Sequence, residues 1–133
     1  MNPPLEEYID VTVVDPIMLE NGWEMTDPLY GLDFLYQLYL KADSSSEGRV
    51  TVPALWHKQT RTIVSNESSE IIRMFNSAFN VLTGNTQDCY PQALHALIHE
   101  LNDRIYNTIN NGVYRAGCAT TQAANHKHGT KRV

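Results

Sequence analysis

The sequence predicts an α/β portion that gives way, near residue 85, to an all-helical one. Two observations carry this. Through residue 79 the apolar pattern switches between strand-like runs and helical spacing in the order strand, helix, strand, strand, helix, and from Pro91 to Ile109 it is helical throughout. The expected organisation is a mixed portion over residues 1–85 and the first part of a helical one over 86–133.

Tyr8-Ile9-Asp10-Val11-Thr12-Val13-Val14 is β-branched, partly alternating, and closed by Asp15-Pro16, which predicts a short buried strand. Met18 to Tyr30 has loop composition with Gly22, Asp27 and Pro28, and carries Trp23. Leu32, Leu35, Tyr36, Tyr39 and Leu40 recur at helical spacing, and Asp43 to Gly48 ends that helix. Arg49 to Trp56, interrupted by Pro53, and Thr60 to Val64 flank a turn at His57-Lys58-Gln59, the pattern of a β-hairpin. Ser65 to Glu70 then supplies capping residues ahead of Ile71, Ile72, Met74, Phe75 and Phe79. Beyond the breakers of residues 82–88, Leu94, Leu97, Ile98, Leu101, Ile105 and Ile109 form one apolar face of a long helix. The tail from Asn125 to Val133 has no periodicity and is expected to fray.

A length of 133 residues, 42% hydrophobic and 19% charged, describes a globular chain with material for one core. The net charge of −5 excludes the clustered basic surface that nucleic acid requires. No apolar run reaches the roughly 18 to 20 residues that span a bilayer, and Met1-Asn2-Pro3-Pro4 lacks the pattern of a signal peptide, so a cytoplasmic location away from membranes is expected. Cys89 and Cys118 have no C-x-x-C spacing, which leaves neither a disulfide framework nor a cysteine zinc site. His95 and His99 share a helix face, but the H-E-x-x-H glutamate is missing and no third ligand is evident, so solvated histidines rather than a metal site are expected.

Two stretches resemble a known family: Gly48-Arg49-Val50-Thr51-Val52-Pro53-Ala54-Leu55-Trp56, and Thr62-Ile63-Val64-Ser65-Asn66-Glu67-Ser68-Ser69-Glu70 continuing to Phe75. They are similar to the glutathionyl-hydroquinone reductases, the Xi class of glutathione transferases. The likeness extends through Met18 to Trp23, Phe34 to Leu40 and Asn110 to Gly117, covering residues 5 to 124 in all. The resemblance implies an incomplete thioredoxin-like domain, lacking the first strand and most of the first helix, followed by the start of an all-α glutathione-transferase C-terminal domain. It further implies glutathione as co-substrate with no metal, quinol conjugates as the other partner, and removal of their glutathionyl groups.

The residues themselves are chemically suited to those roles, each with a plainer reading beside it. Val52-Pro53 alone is a proline at a strand edge. In a thioredoxin-like fold the corresponding proline is cis, and the Val52 N–H and C=O pair with the cysteinyl backbone of glutathione like an added strand. Ser65, Asn66 or Ser68 alone is a helix cap. Within the resemblance, Glu67 pairs with the γ-glutamyl ammonium and Ser68, with the helix N-terminus, receives its carboxylate. Arg49, Val50 and Thr51 lie in the same matching run, and Arg49 and Trp23 match residues that contact glutathione: a guanidinium pairs with a carboxylate, and an indole covers apolar atoms. The loop between Trp23 and Arg49 is shorter than the family pattern. Tyr114, otherwise a packed tyrosine at a helix end, matches a proton donor or acceptor for the quinol oxygen.

The family's nucleophilic cysteine lies in a Cys-Pro motif ahead of Met1, and neither Cys89 nor Cys118 has that context. The sequence therefore reads as a piece truncated at both ends, binding glutathione weakly or not at all and catalytically silent alone. Without the first strand, residues 8–14 have no bridge to the hairpin, and an open ladder edge favours self-association, a homodimer among the outcomes. A non-catalytic interaction protein, or a truncated product without function, remain as alternatives.

Overall fold

Helix α1, Leu35–Ala42, is the first α-helix of the computed structural model, which describes residues 4–118. It lacks a Ser, Thr, Asp or Asn at its cap. Gln37 reaches back instead, its Oε1 accepting the N–H groups of Asp33 and Phe34 at 3.0 Å each, which satisfies donors that a helix start leaves open. Leu35 and Tyr39, one turn apart, are the residues α1 buries.

The hairpin is formed by β1, Leu55–His57, and β2, Thr62–Ser65, antiparallel with Leu55 opposite Ser65 and Trp56 opposite Ile63. The ladder begins only beyond Pro53, because proline has no N–H to donate. The turn is closed by the Arg61 N–H on the His57 carbonyl at 2.8 Å, with Arg61 in the left-handed region at φ 55°. Helix α1 packs on β2. Helix α2, Ser68–Ser77, buries Ile71. Short α3, Asn80–Thr83, follows and stops at Gly84, whose φ of 67° is the left-handed helix end that glycine adopts without a Cβ penalty.

Residues 8–14 depart from expectation: they form neither a strand nor a buried segment. Val11 and Val13 are 81% and 79% exposed, and the pairing is a single bridge from Val14 to Met25. The β-branched pattern is real, but among the described residues no neighbouring strand offers a ladder, and propensity without partners does not bury side chains. The following loop is tied down more firmly. Asp15 N–H bonds the Glu24 carbonyl at 2.8 Å, Met25 N–H the Asp33 carbonyl at 2.9 Å, and Leu35 N–H the Trp23 carbonyl at 2.9 Å.

The chain divides between Asp88 and Cys89 into two compact units. The second contains α4, His95–Ile105, a π-helical segment, Tyr106–Asn110, and α5, Asn111–Gly117. The helical run thus passes the expected end at Ile109. Asn107 and Thr108 side chains bond back to the carbonyls of Asp103 and Arg104 at 2.9 and 2.6 Å, and the Arg115 guanidinium donates to the carbonyls of Asn107 and Asn111. These polar side chains serve the carbonyls around a widened turn. Among the described residues no helix is long and apolar enough to cross a membrane. The expected fraying tail lies outside the described residues.

Candidate functional site

In the first unit the candidate residues gather around a buried tyrosine. The Tyr39 hydroxyl donates to the Thr51 carbonyl at 2.9 Å and accepts from the Asn66 amide at 3.3 Å; the same amide also reaches Thr51 Oγ1 at 3.3 Å. This knot joins Thr51 to Asn66, the residues that directly precede Val52-Pro53 and Glu67-Ser68. The hairpin adds a second tie, pairing Leu55, just beyond Pro53, with Ser65, which precedes Asn66. Both halves of the candidate site are therefore anchored twice.

What those anchors leave open matters more. The Val52-Pro53 peptide bond is cis, as the thioredoxin-like resemblance leads one to expect. Val52 is exposed, and its N–H and C=O have no hydrogen-bond partner among the described residues. At the start of α2, the Ser65 hydroxyl accepts the Glu67 N–H at 3.1 Å and donates to Glu70 Oε2 at 3.0 Å, while the Glu70 and Ile71 N–H groups bond the Glu67 carbonyl at 3.0 Å each. So Ser65 holds the helix entry and Asn66 is committed to the knot. The Glu67 carboxylate, the Ser68 hydroxyl and the N–H groups of Ser68 and Ser69 are left without partners among the described residues. An anionic group meets free donors and the positive end of the helix there, with a carboxylate one residue away for a cation.

The remaining candidates are less constrained. Arg49 is exposed and Val50 half-buried, and no ion pair holds the Arg49 guanidinium among the described residues. Trp23 is half-buried and anchored by its carbonyl to α1, and its indole N–H has no hydrogen-bond partner among the described residues. Tyr114 belongs to the second unit, on α5, where it is 69% exposed. Cys89 and Cys118 are both exposed. The paired histidines turn to Tyr90 rather than to each other. His95 stacks on the Tyr90 ring at 3.9 Å and His99 Nε2 lies 2.5 Å from its hydroxyl, whereas the two imidazole centroids are 6.4 Å apart. His95 is half-buried against that aromatic face and His99 is exposed.

Sequence reasoning missed the part played by Tyr39 and treated Asn66 only as a cap. The signal was available: a tyrosine on the buried stripe of a helix carries a hydroxyl that must find a partner.

No family model matches the chain. Individual proteins do. The glutathionyl-hydroquinone reductase YqjG of Escherichia coli K12 is 58% identical over 128 residues, which are 90% of this chain and 39% of that protein. The glutathione-bound structure of the same protein superimposes with a TM-score of 0.88, covering 93% of this chain and 43% of its own. The Xi glutathione transferase of Phanerochaete chrysosporium gives a TM-score of 0.87 at 49% identity, covering 93% and 46%. The architecture is thus that of the glutathione transferases, represented by part of the thioredoxin-like domain and the beginning of the helical one. Within that class, the chain is homologous to the glutathionyl-hydroquinone reductases of the Xi class, and it spans about two fifths of the length of the curated relatives it matches.

Proposed function

We propose that this chain binds glutathione on its first unit. The Val52 N–H and C=O pair with the cysteinyl backbone of the tripeptide, as an edge strand pairs with a peptide. The γ-glutamyl carboxylate sits on the Ser68 hydroxyl and the open N–H groups of α2, and Glu67 takes the adjacent ammonium. Arg49 pairs with a tripeptide carboxylate, the Val50-Thr51 segment shapes the approach, and Trp23 covers apolar atoms. One observation carries the reading: the open backbone groups of Val52 and the open start of α2 directly follow the two ends of a single hydrogen-bonded knot. A relative solved with glutathione bound supports it.

The relatives' names suggest glutathionyl-hydroquinones as the wider substrate class. For such a substrate Tyr114 would give or take the proton at the quinol oxygen. Thiol transfer itself needs a nucleophilic cysteine, and Cys89 and Cys118 stand outside any Cys-Pro motif.

Titration calorimetry with glutathione tests the binding. Wild type gives a saturable isotherm, and Glu67→Ala weakens it by about tenfold or more, as removing a charged hydrogen-bond partner worth roughly 1.5–3 kcal/mol requires. A flat titration for wild type overturns the reading.

A further inference from the structure

We infer that Tyr39 is a positioning residue that sets the spacing between the two halves of the glutathione site, an inference that rests on the reading just given. A tripeptide held at Val52 and at the start of α2 engages two chain segments at once, so its affinity depends on the distance between them as well as on each contact. Three polar contacts fix that distance next to the site, and the Tyr39 hydroxyl is common to two of them. The ring is buried on α1, so the hydroxyl is held by the packing of a helix rather than by a loop. Without it, the knot would retain only the 3.3 Å contact between Asn66 and Thr51, and the spacing at Val52 would rest on that contact and the hairpin alone. Tyr39 touches no ligand in this scheme; it acts through Thr51 and Asn66.

The test compares a ligand that spans both halves with one that engages a single half. Glutathione and free L-glutamate, which carries only the amino-acid head, are titrated against the full chain by amide nuclear magnetic resonance. Tyr39→Phe keeps the ring and loses two hydrogen bonds, so its glutathione affinity falls about tenfold while its glutamate affinity changes less than about twofold. Equal weakening of both ligands, or wild-type affinity for both, overturns the inference and leaves glutathione binding intact. Failure of the wild type to respond to glutathione removes the reading itself, and the inference with it. If Tyr39→Phe does not fold, Asn66→Ala serves, because it removes the amide whose hydrogen bond the Tyr39 hydroxyl accepts: it shows the same selectivity at about threefold, and unchanged glutathione affinity overturns the inference.

Discussion

The two units use similar residues to opposite effect. In the first, Leu35, Tyr39, Ser65 and Ile71 are buried, drawn from α1, β2 and α2, and side chains tie distant backbone segments together. In the second, the helical run carries an apolar face on which Leu94, Leu97, Leu101, Ile109 and Val113 are exposed and Ile98 and Ile105 half-buried, and no described residue is buried. The second unit is held by local helical bonds and by side chains reaching along their own helix, as Arg115 does toward Asn107 and Asn111. An amphipathic pattern specifies a helix without supplying what that helix packs on; tertiary stabilisation comes from the apolar face being covered. The order needed to hold a small ligand therefore resides in the first unit.

The sharpest way to break this comparison is to remove equivalent side chains from both units. Ile71 is 8% exposed and Leu97 62%. Ile71→Ala is expected to cost roughly 2–5 kcal/mol, the range for emptying a buried aliphatic site, and Leu97→Ala less than about 0.5 kcal/mol, as for an exposed position. Denaturant unfolding followed by tryptophan fluorescence reads the first, since both tryptophans, Trp23 and Trp56, lie in that unit. Amide hydrogen exchange along α4 reads the second. Equal losses would mean that the exposed stripe is as fully packed as the core.

A smaller effect sharpens the same contrast. Ser65→Ala removes a hydroxyl that accepts the Glu67 N–H and donates to Glu70. The expected loss is about 1 kcal/mol, the usual cost of deleting a helix-entry hydroxyl, seen as a lower denaturation midpoint with an unchanged slope. Retention of the wild-type midpoint would show that the entry of α2 is held by the β2 ladder alone.

Legibility in the sequence follows the range of the forces involved. Helix α1, the hairpin and the start of α2 were readable because spacing, proline and capping residues act within a few positions. The resemblance carried the placement of Val52-Pro53 at the head of β1 and of Glu67-Ser68 at the start of α2. Residues 8–14 misled because a strand is defined by its partner, and the pattern of Val11 and Val13 says nothing about whether one is present. The π segment at Tyr106–Asn110 was not legible because apolar periodicity reads a helix without its local widening, while Asn107 and Thr108 bond to carbonyls of their own helix. The Tyr39 knot was hidden because it joins three residues that no local rule connects. It is also the feature that brings the candidate binding segments together.

The smallest expected effect lies at the end of α1, where two electrostatic rules conflict. Asp43 is the C-terminal cap, and a carboxylate there faces the negative end of the helix, which should raise its pKa. The local geometry opposes this: Asp43 Oδ1 accepts the Ser45 hydroxyl at 2.6 Å and the Ser45 N–H at 2.9 Å. Hydrogen bonds to the charged form win, and the Asp43 pKa lies below the ordinary 3.8, lowered first by the Ser45 hydroxyl and then by its N–H, against a smaller rise from desolvation. Because the folded value is depressed, the contribution to stability is complete above the ordinary value and is lost as pH falls through the folded one. Ser45→Ala removes the larger cause, so the Asp43 carboxyl should titrate closer to 3.8 in the variant, followed by its side-chain carbon resonance. A wild-type midpoint at or above that value would mean that the helix end, not the Ser45 turn, governs Asp43, and the first unit would lose one of the side-chain-to-backbone ties that set it apart.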